Sequence, residues 1–167
     1  TGRNHNDWSA RFWNHLGTPN ANDPMHFCMG PRCVAGYYDF GIPAPIDPHY
    51  NVTNCLVAWG RNEIHSHPSV GRYIFDAVER GAKLIVIDPR FTKLSARADL
   101  WLQIRPGSDD AMTLAWMNVI IGENLYDKEF VTKWCYGFDK LKEHVKKYTP
   151  EWAETITWVP ADKIREA

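Results

Sequence analysis

The chain has 167 residues, 44% of them hydrophobic and 13% aromatic, which is enough for one domain with a sizeable core. Nineteen basic and 20 acidic side chains leave a net charge of -1, so no broad field favours nucleic acid or an anionic membrane. No apolar run approaches the roughly 18 residues a bilayer span needs, so direct membrane insertion is not expected.

"WSARFWNHLG" (8–17) reads as a short amphipathic helix, with Trp8, Phe12 and Leu16 on one face and Gly17 as its stop. Residues 18–51 are dense in proline, glycine, asparagine and aspartate, which predicts a long irregular segment. Its phenylalanines, tyrosines, methionines and cysteines argue that it is functional rather than disordered. Within it, "MHFCMGPRCVAGYYDFG" (25–41) puts Cys28 in a turn-forming stretch. That thiol has three readings: a buried core cysteine, a zinc ligand, or a ligand to a metal carried by a larger cofactor. His26, His65, His67, Cys28 and Cys33 lack the tight ligand pairs of structural zinc sites. The four cysteines, at 28, 33, 55 and 135, form neither a CxxC pair nor a disulfide framework.

Regular alternation follows. "NCLVAWG" (54–60) reads as a strand buried on both faces, and "SVGRYIFDAVERG" (69–81) as a helix stopped by Gly81. "KLIVIDPR" (83–90) gives a second strand, and "DLWLQIRPGSD" (99–109) a third strand with a loop. "DDAMTLAWMNVIIGENL" (109–125) is an almost wholly apolar helix, expected to be sandwiched. Four short helices follow between 127 and 167. Strand, helix, strand, loop, strand, helix predicts an α/β fold with a parallel sheet covered on both faces and a helical C-terminal extension.

Ligands of such sheets bind beyond the carboxyl ends of the strands. Those ends are "WGRN" (59–62), "IDPR" (87–90) and "RPGSD" (105–109). Gly60 would let the backbone approach a phosphate, and Asn62 can donate and accept hydrogen bonds. A plain βα turn capped by Ser66 or Ser69 accounts for the same residues. Asp88 suits two vicinal ribose hydroxyls, or a turn before Pro89. Arg90 would stack on a base, meet a phosphate, or pair with Asp76 or Glu79. Ser108 or Asp109 would cap the apolar helix, the simpler role. The two oxygens of Asp109 also match the N1–H and amine of guanine.

Taken in order, "FCMGPRCVAGY", "VAWGRNEIHSHP", "GAKLIVIDPRFTKLSARADLWLQIRPGSDDAMTLAWMNVIIGENLYDKEFV" and "YTPEWAETITWVPADKIREA" resemble consecutive blocks of the molybdopterin oxidoreductases. The narrower resemblance is to the bis-molybdopterin guanine dinucleotide (dimethyl sulfoxide reductase) family. It implies a three-layer, parallel-sheet, dinucleotide-binding (Rossmann-like) domain in which Cys28 is the protein ligand to molybdenum or tungsten. It further implies that Gly60, Arg61 and Asn62 lie near a pyrophosphate, with His67 and Pro68 starting the next helix. Asp88, Pro89 and Arg90 would lie near ribose and guanosine, and Gly107, Ser108 and Asp109 near guanine.

The implied activity is oxygen-atom, hydride or electron transfer on a small-molecule substrate. A hydratase-like, non-redox relative and an isolated nucleotide-binding module without activity are the alternatives. Met29 stands where the formate dehydrogenases of the family usually carry histidine. The chain opens at Thr1, and its last stretch breaks off within a helical pattern. It is therefore expected to be an excerpt, inactive alone, with residues 1–22 ending a preceding domain and 23–167 forming the cofactor domain. Expected partners are the remaining domains of the same subunit, with a 4Fe-4S cluster in the N-terminal part, and an iron–sulfur electron-transfer subunit. No nucleic acid is expected, and no compartment is assigned.

Overall fold

The computed structural model describes residues 3–21, 28–42 and 48–167, with side chains from residue 8 onward. The chain divides into two compact units, Thr1–Pro48 and His49–Ala167.

The first unit contains α1 (Arg3–Leu16) and α2 (Met29–Phe40). Helix α1 begins five residues earlier than its apolar pattern does. It stops at Gly17, whose φ is +70 and whose N–H reaches the Trp13 carbonyl at 3.1 Å. Trp8, Phe12 and Leu16 are all exposed. Helix α2 corrects the expectation of an irregular segment over 18–51. Pro31 falls in its first turn, where a missing N–H costs nothing, and Gly41 closes it at φ +72 with an N–H to the Tyr37 carbonyl at 3.1 Å. The residues read as loop formers thus mark the two ends of a helix. The expected boundary at residues 22–23, together with His26 and Phe27, lies outside the described residues.

The second unit holds β1 (Cys55–Trp59), the one-turn α3 (Glu63–Ser66), α4 (Pro68–Glu79), β2 (Lys83–Ile87), β3 (Leu100–Leu102) and α5 (Asp109–Gly122). The short helices α6 (Lys128–Trp134), α7 (Phe138–Val145), α8 (Pro150–Thr157) and α9 (Ala161–Glu166) complete it. The sheet order is β1-β2-β3, all parallel, with Trp59 opposite Ile87 and Ile87 opposite Leu102.

Alternation along β2 feeds two cores. Leu84 and Val86 pack with Leu56, Ala58, Ile74 and Ala77 of β1 and α4. Ile85 and Ile87 pack with Leu102, Met112, Ala115, Ala153, Val159 and Ile164. Each fully buried aliphatic side chain of this kind contributes about 1.5–3 kcal/mol. The doubly buried reading therefore holds for β2, but β1 is a correction. Among the described residues it is an edge strand, with Leu56 and Ala58 buried while Val57 remains 46% exposed.

Helix α5 lies between the sheet and the C-terminal helices. The Trp116 indole donates to the Ile164 carbonyl at 3.1 Å, and the Asn118 amide to the Val145 carbonyl at 2.9 Å. Asp127 and Thr149 cap α6 and α8 through bonds from Phe130 N–H (2.9 Å) and Trp152 N–H (3.3 Å). Among the described residues no helix is long and apolar enough to cross a membrane.

Candidate functional site

Because the three strands are parallel and in register, their carboxyl ends fall on one edge of the sheet. Side chains and turns then bind those ends to one another. Gly60 N–H donates to the Ile87 carbonyl at 2.8 Å, and Asp88 N–H to the Leu102 carbonyl at 3.3 Å. The Trp59 indole N–H donates to Asp109 Oδ1 at 2.7 Å, linking the end of β1 to the start of α5. The Trp101 indole donates to the Asp88 carbonyl at 2.9 Å, and the Gln103 amide to the Pro89 carbonyl at 3.2 Å. The stretches 60–62, 88–90 and 107–109 are thus brought together, as the strand pattern predicts.

Gly60 and Gly107 have φ of +58 and +78, and a Cβ at either would meet nothing within 4 Å. Both positions need glycine for their backbone, and both leave room for a close-lying ligand. At the turns after β1 and β2, Asn62, His65, Arg90, Phe91, Thr92 and Lys93 line a groove of about 430 Å³. Two permanent cations and no carboxylate face it, so it favours anions. Asn62 Oδ1 is buried and, among the described residues, has no hydrogen-bond partner. A buried orphan acceptor is costly unless something donates to it, so the Asn62 oxygen is a vacant acceptor beside the groove.

The carboxylates at this edge are held, not loose. Asp88 is buried, and its Oδ1 accepts the Arg90 N–H at 2.8 Å, the turn expected before Pro89. Asp109 offers about four acceptor positions, of which Trp59 takes one, leaving enough for two donors of a base.

Two capping expectations are corrected. Ser108 occupies the N-cap position of α5 but donates its hydroxyl to the Arg105 carbonyl at 2.6 Å, and neither it nor Asp109 caps the helix. His67, followed by Pro68 in the first turn, is the N-cap residue of α4, so neither Ser66 nor Ser69 caps it. Asp76 faces Arg72 at 3.8 Å rather than Arg90.

Glu63 escapes a sequence reading, because an acidic residue opening a helix turn is ordinary. It is 3% exposed, and its carboxylate pairs with the Arg61 guanidinium, the Ser66 hydroxyl (3.3 Å) and His67 Nδ1 (3.2 Å). A buried carboxylate is tolerable only with such partners. Arg61 and His67 are therefore anchored side chains.

Cys28 immediately precedes α2 in the first unit and is an exposed free thiol. It therefore lies outside both hydrophobic cores described above. Among the described residues no group of three or more His, Cys, Asp or Glu could hold a metal ion, so the zinc reading gains no support there.

The family model for molybdopterin oxidoreductases matches residues 45–157. The chain is 43% identical over 164 residues to the acetylene hydratase of Syntrophotalea acetylenica, covering 94% of this chain and 21% of that protein. It is 47% identical over 116 residues to the F420-dependent formate dehydrogenase subunit alpha of Methanocaldococcus jannaschii, covering 70% and 17%. Among solved structures, acetylene hydratase from Pelobacter acetylenicus superposes with a TM-score of 0.81 at 41% identity, over 93% of this chain and 21% of that one. The chain spans about a fifth of the length of these relatives. The ordered sequence blocks, the parallel sheet with its joined strand ends and these matches agree: the chain belongs to the molybdopterin oxidoreductase family.

Proposed function

We propose that this chain is the part of a molybdenum or tungsten enzyme that holds a guanine dinucleotide of bis-molybdopterin guanine dinucleotide. In this reading residues 23–167 form a three-layer, Rossmann-like cofactor domain, and Cys28 is the protein ligand to the metal. The observation that carries the reading is the hydrogen-bonded meeting of three strand ends, each bearing groups a nucleotide needs.

The residues suit the group. Gly60 and Gly107 leave the backbone open where a pyrophosphate or base would approach, and Arg90 and Lys93 supply cations for phosphates. Asn62 accepts from the ligand through its orphan oxygen. Asp88 offers its carboxylate to ribose hydroxyls, and Asp109 accepts from the guanine N1–H and amine. When bound, the cofactor supplies a metal that exchanges oxygen atoms or electrons with a small substrate. A thiolate from Cys28 suits such a metal, because a soft anionic donor stays bound as the oxidation state changes.

The test is Asp109→Asn in the intact protein, with cofactor measured as GMP released by acid. Asparagine keeps an oxygen for the Trp59 N–H but turns a donor toward the donors of guanine. The expected result is a large loss of released GMP with the melting temperature little changed. Wild-type GMP content would refute the guanine contact.

A second reading, hydration without net electron transfer, draws on the similarity to acetylene hydratases. Turnover in the absence of any electron donor or acceptor favours hydration. Strict dependence on a redox partner favours an oxidoreductase.

A further inference from the structure

Resting on the cofactor reading above, we infer that Glu63 is a positioning residue: its buried carboxylate presets Arg61 and His67 at the turn after β1, on the strand edge that the dinucleotide would occupy. Glu63 opens the single turn α3 between β1 and α4, and its backbone is fixed from behind. A Cβ added at Gly71 would come within 3.2 Å of the Glu63 carbonyl carbon, so α4 lies directly against this turn. From that fixed point the carboxylate reaches both ways, to the Arg61 guanidinium on one side and to Ser66 and His67 Nδ1 on the other. Glu63 itself is hidden, whereas the Arg61 and His67 side chains are 37% and 71% exposed. The acid is placed to hold its neighbours and not to meet a ligand, and the held neighbours are the ones that reach the surface.

The physical consequence is pre-organisation. A free arginine side chain loses rotamer entropy when a ligand immobilises it. An arginine already tied to a buried carboxylate has lost most of that freedom on folding, so its N–H groups not turned to Glu63 meet a phosphate at lower cost. The same applies to the His67 ring, which Nδ1 orients. Glu63 also tempers the charge of the turn, leaving the cations of the groove, Arg90 and Lys93, as the main counter-charge for the ligand. Outer-layer partners that orient metal ligands are worth about 10-fold or more in affinity, and the expected effect of Glu63 is set by analogy with them.

The experiment compares Glu63→Gln, Arg61→Ala and the double variant of the intact protein, reading GMP released by acid per chain and the melting temperature. Glu63→Gln is expected to lower retained GMP about 10-fold, Arg61→Ala similarly, and the double variant by clearly less than the product of the two, since part of the effect of Glu63 runs through Arg61. Glu63→Asp keeps the charge with a shorter reach and is expected to fall in between; it carries the test should Glu63→Gln fail to fold. Wild-type GMP in Glu63→Gln or Glu63→Asp, or losses that multiply in the double variant, would overturn the inference. Arg90→Ala, an exposed position, separates the two levels of the argument. If it lowers GMP while the Glu63 variants do not, only the positioning role falls. If neither changes GMP, the cofactor reading falls and this inference with it.

Discussion

At the scale of single residues, a few polar contacts decide what the strand ends can do. Asp109 was legible in the sequence as an acid at the head of an apolar helix, but its engagement by Trp59 at 2.7 Å depends on a parallel register joining residues 50 positions apart. Local pattern cannot show such a contact. Glu63 was illegible for a related reason: its burial comes from α4 lying across it, and nothing in "GRNEIH" announces that. Cys28 was singled out by its neighbours in the chain, and its exposure is consistent with a thiol that meets something other than this unit's own core. Replacing Cys28 with alanine in the intact protein is expected to abolish metal-dependent turnover. Elemental analysis beside the assay checks this; full turnover with normal metal content would remove Cys28 from the metal site.

At the scale of elements, helices and strands followed the apolar periodicity where they had a core to face. The β2 strand and helices α4 and α5 were readable because each is lined by residues that end up buried. Helix α2 was not, because proline and glycine break a helix only in its interior, whereas Pro31 sits in the first turn and Gly41 just past the end. The β1 strand misled in the opposite sense, since a continuous apolar run does not reveal whether both of its faces are covered.

Two substitutions test how tightly these elements are specified. Gly71→Ala forces a Cβ to within 3.2 Å of the α3 backbone, where no flexible side chain can yield. A loss of about 1–3 kcal/mol is expected in denaturant melts, the usual range for overpacking. Trp158 ends α8 at φ +64, a left-handed conformation costing a non-glycine residue roughly 1–2 kcal/mol. Its contact with Arg105, whose guanidinium lies 5.1 Å from the ring, returns only about 0.5–1 kcal/mol at an exposed site. Strain is the larger of the two, so Trp158→Gly is expected to hold or raise the melting temperature. A marked fall would mean the indole contributes more packing than this balance allows.

At the scale of the whole molecule, charge ties the last helices to each other and to their stability in acid. The Arg165 guanidinium, 2.9 Å from Glu151, holds that carboxyl at about 2, below its ordinary 4.5, with the Glu151 and Thr149 groups at the helix start assisting. A depressed folded-state value means the contribution is complete above about pH 4.5 and is lost as pH falls toward about 2. Asp99 acts in the same direction, lowered first by its bond from Lys83 and then by the Leu84 N–H. Both pairs are exposed, so the effect is modest and weakens with salt. Glu151→Gln is expected to flatten part of the fall in melting temperature between pH 5 and 2. An unchanged acid profile would show that the pair contributes nothing.

If a guanine nucleotide lies along the carboxyl edge of this sheet, a crystal structure of the intact, cofactor-loaded protein will show it there. The expected result is a guanine base within hydrogen-bond distance of Asp109 and a ribose beside Asp88. A nucleotide bound elsewhere, with both carboxylates facing only solvent, would contradict it.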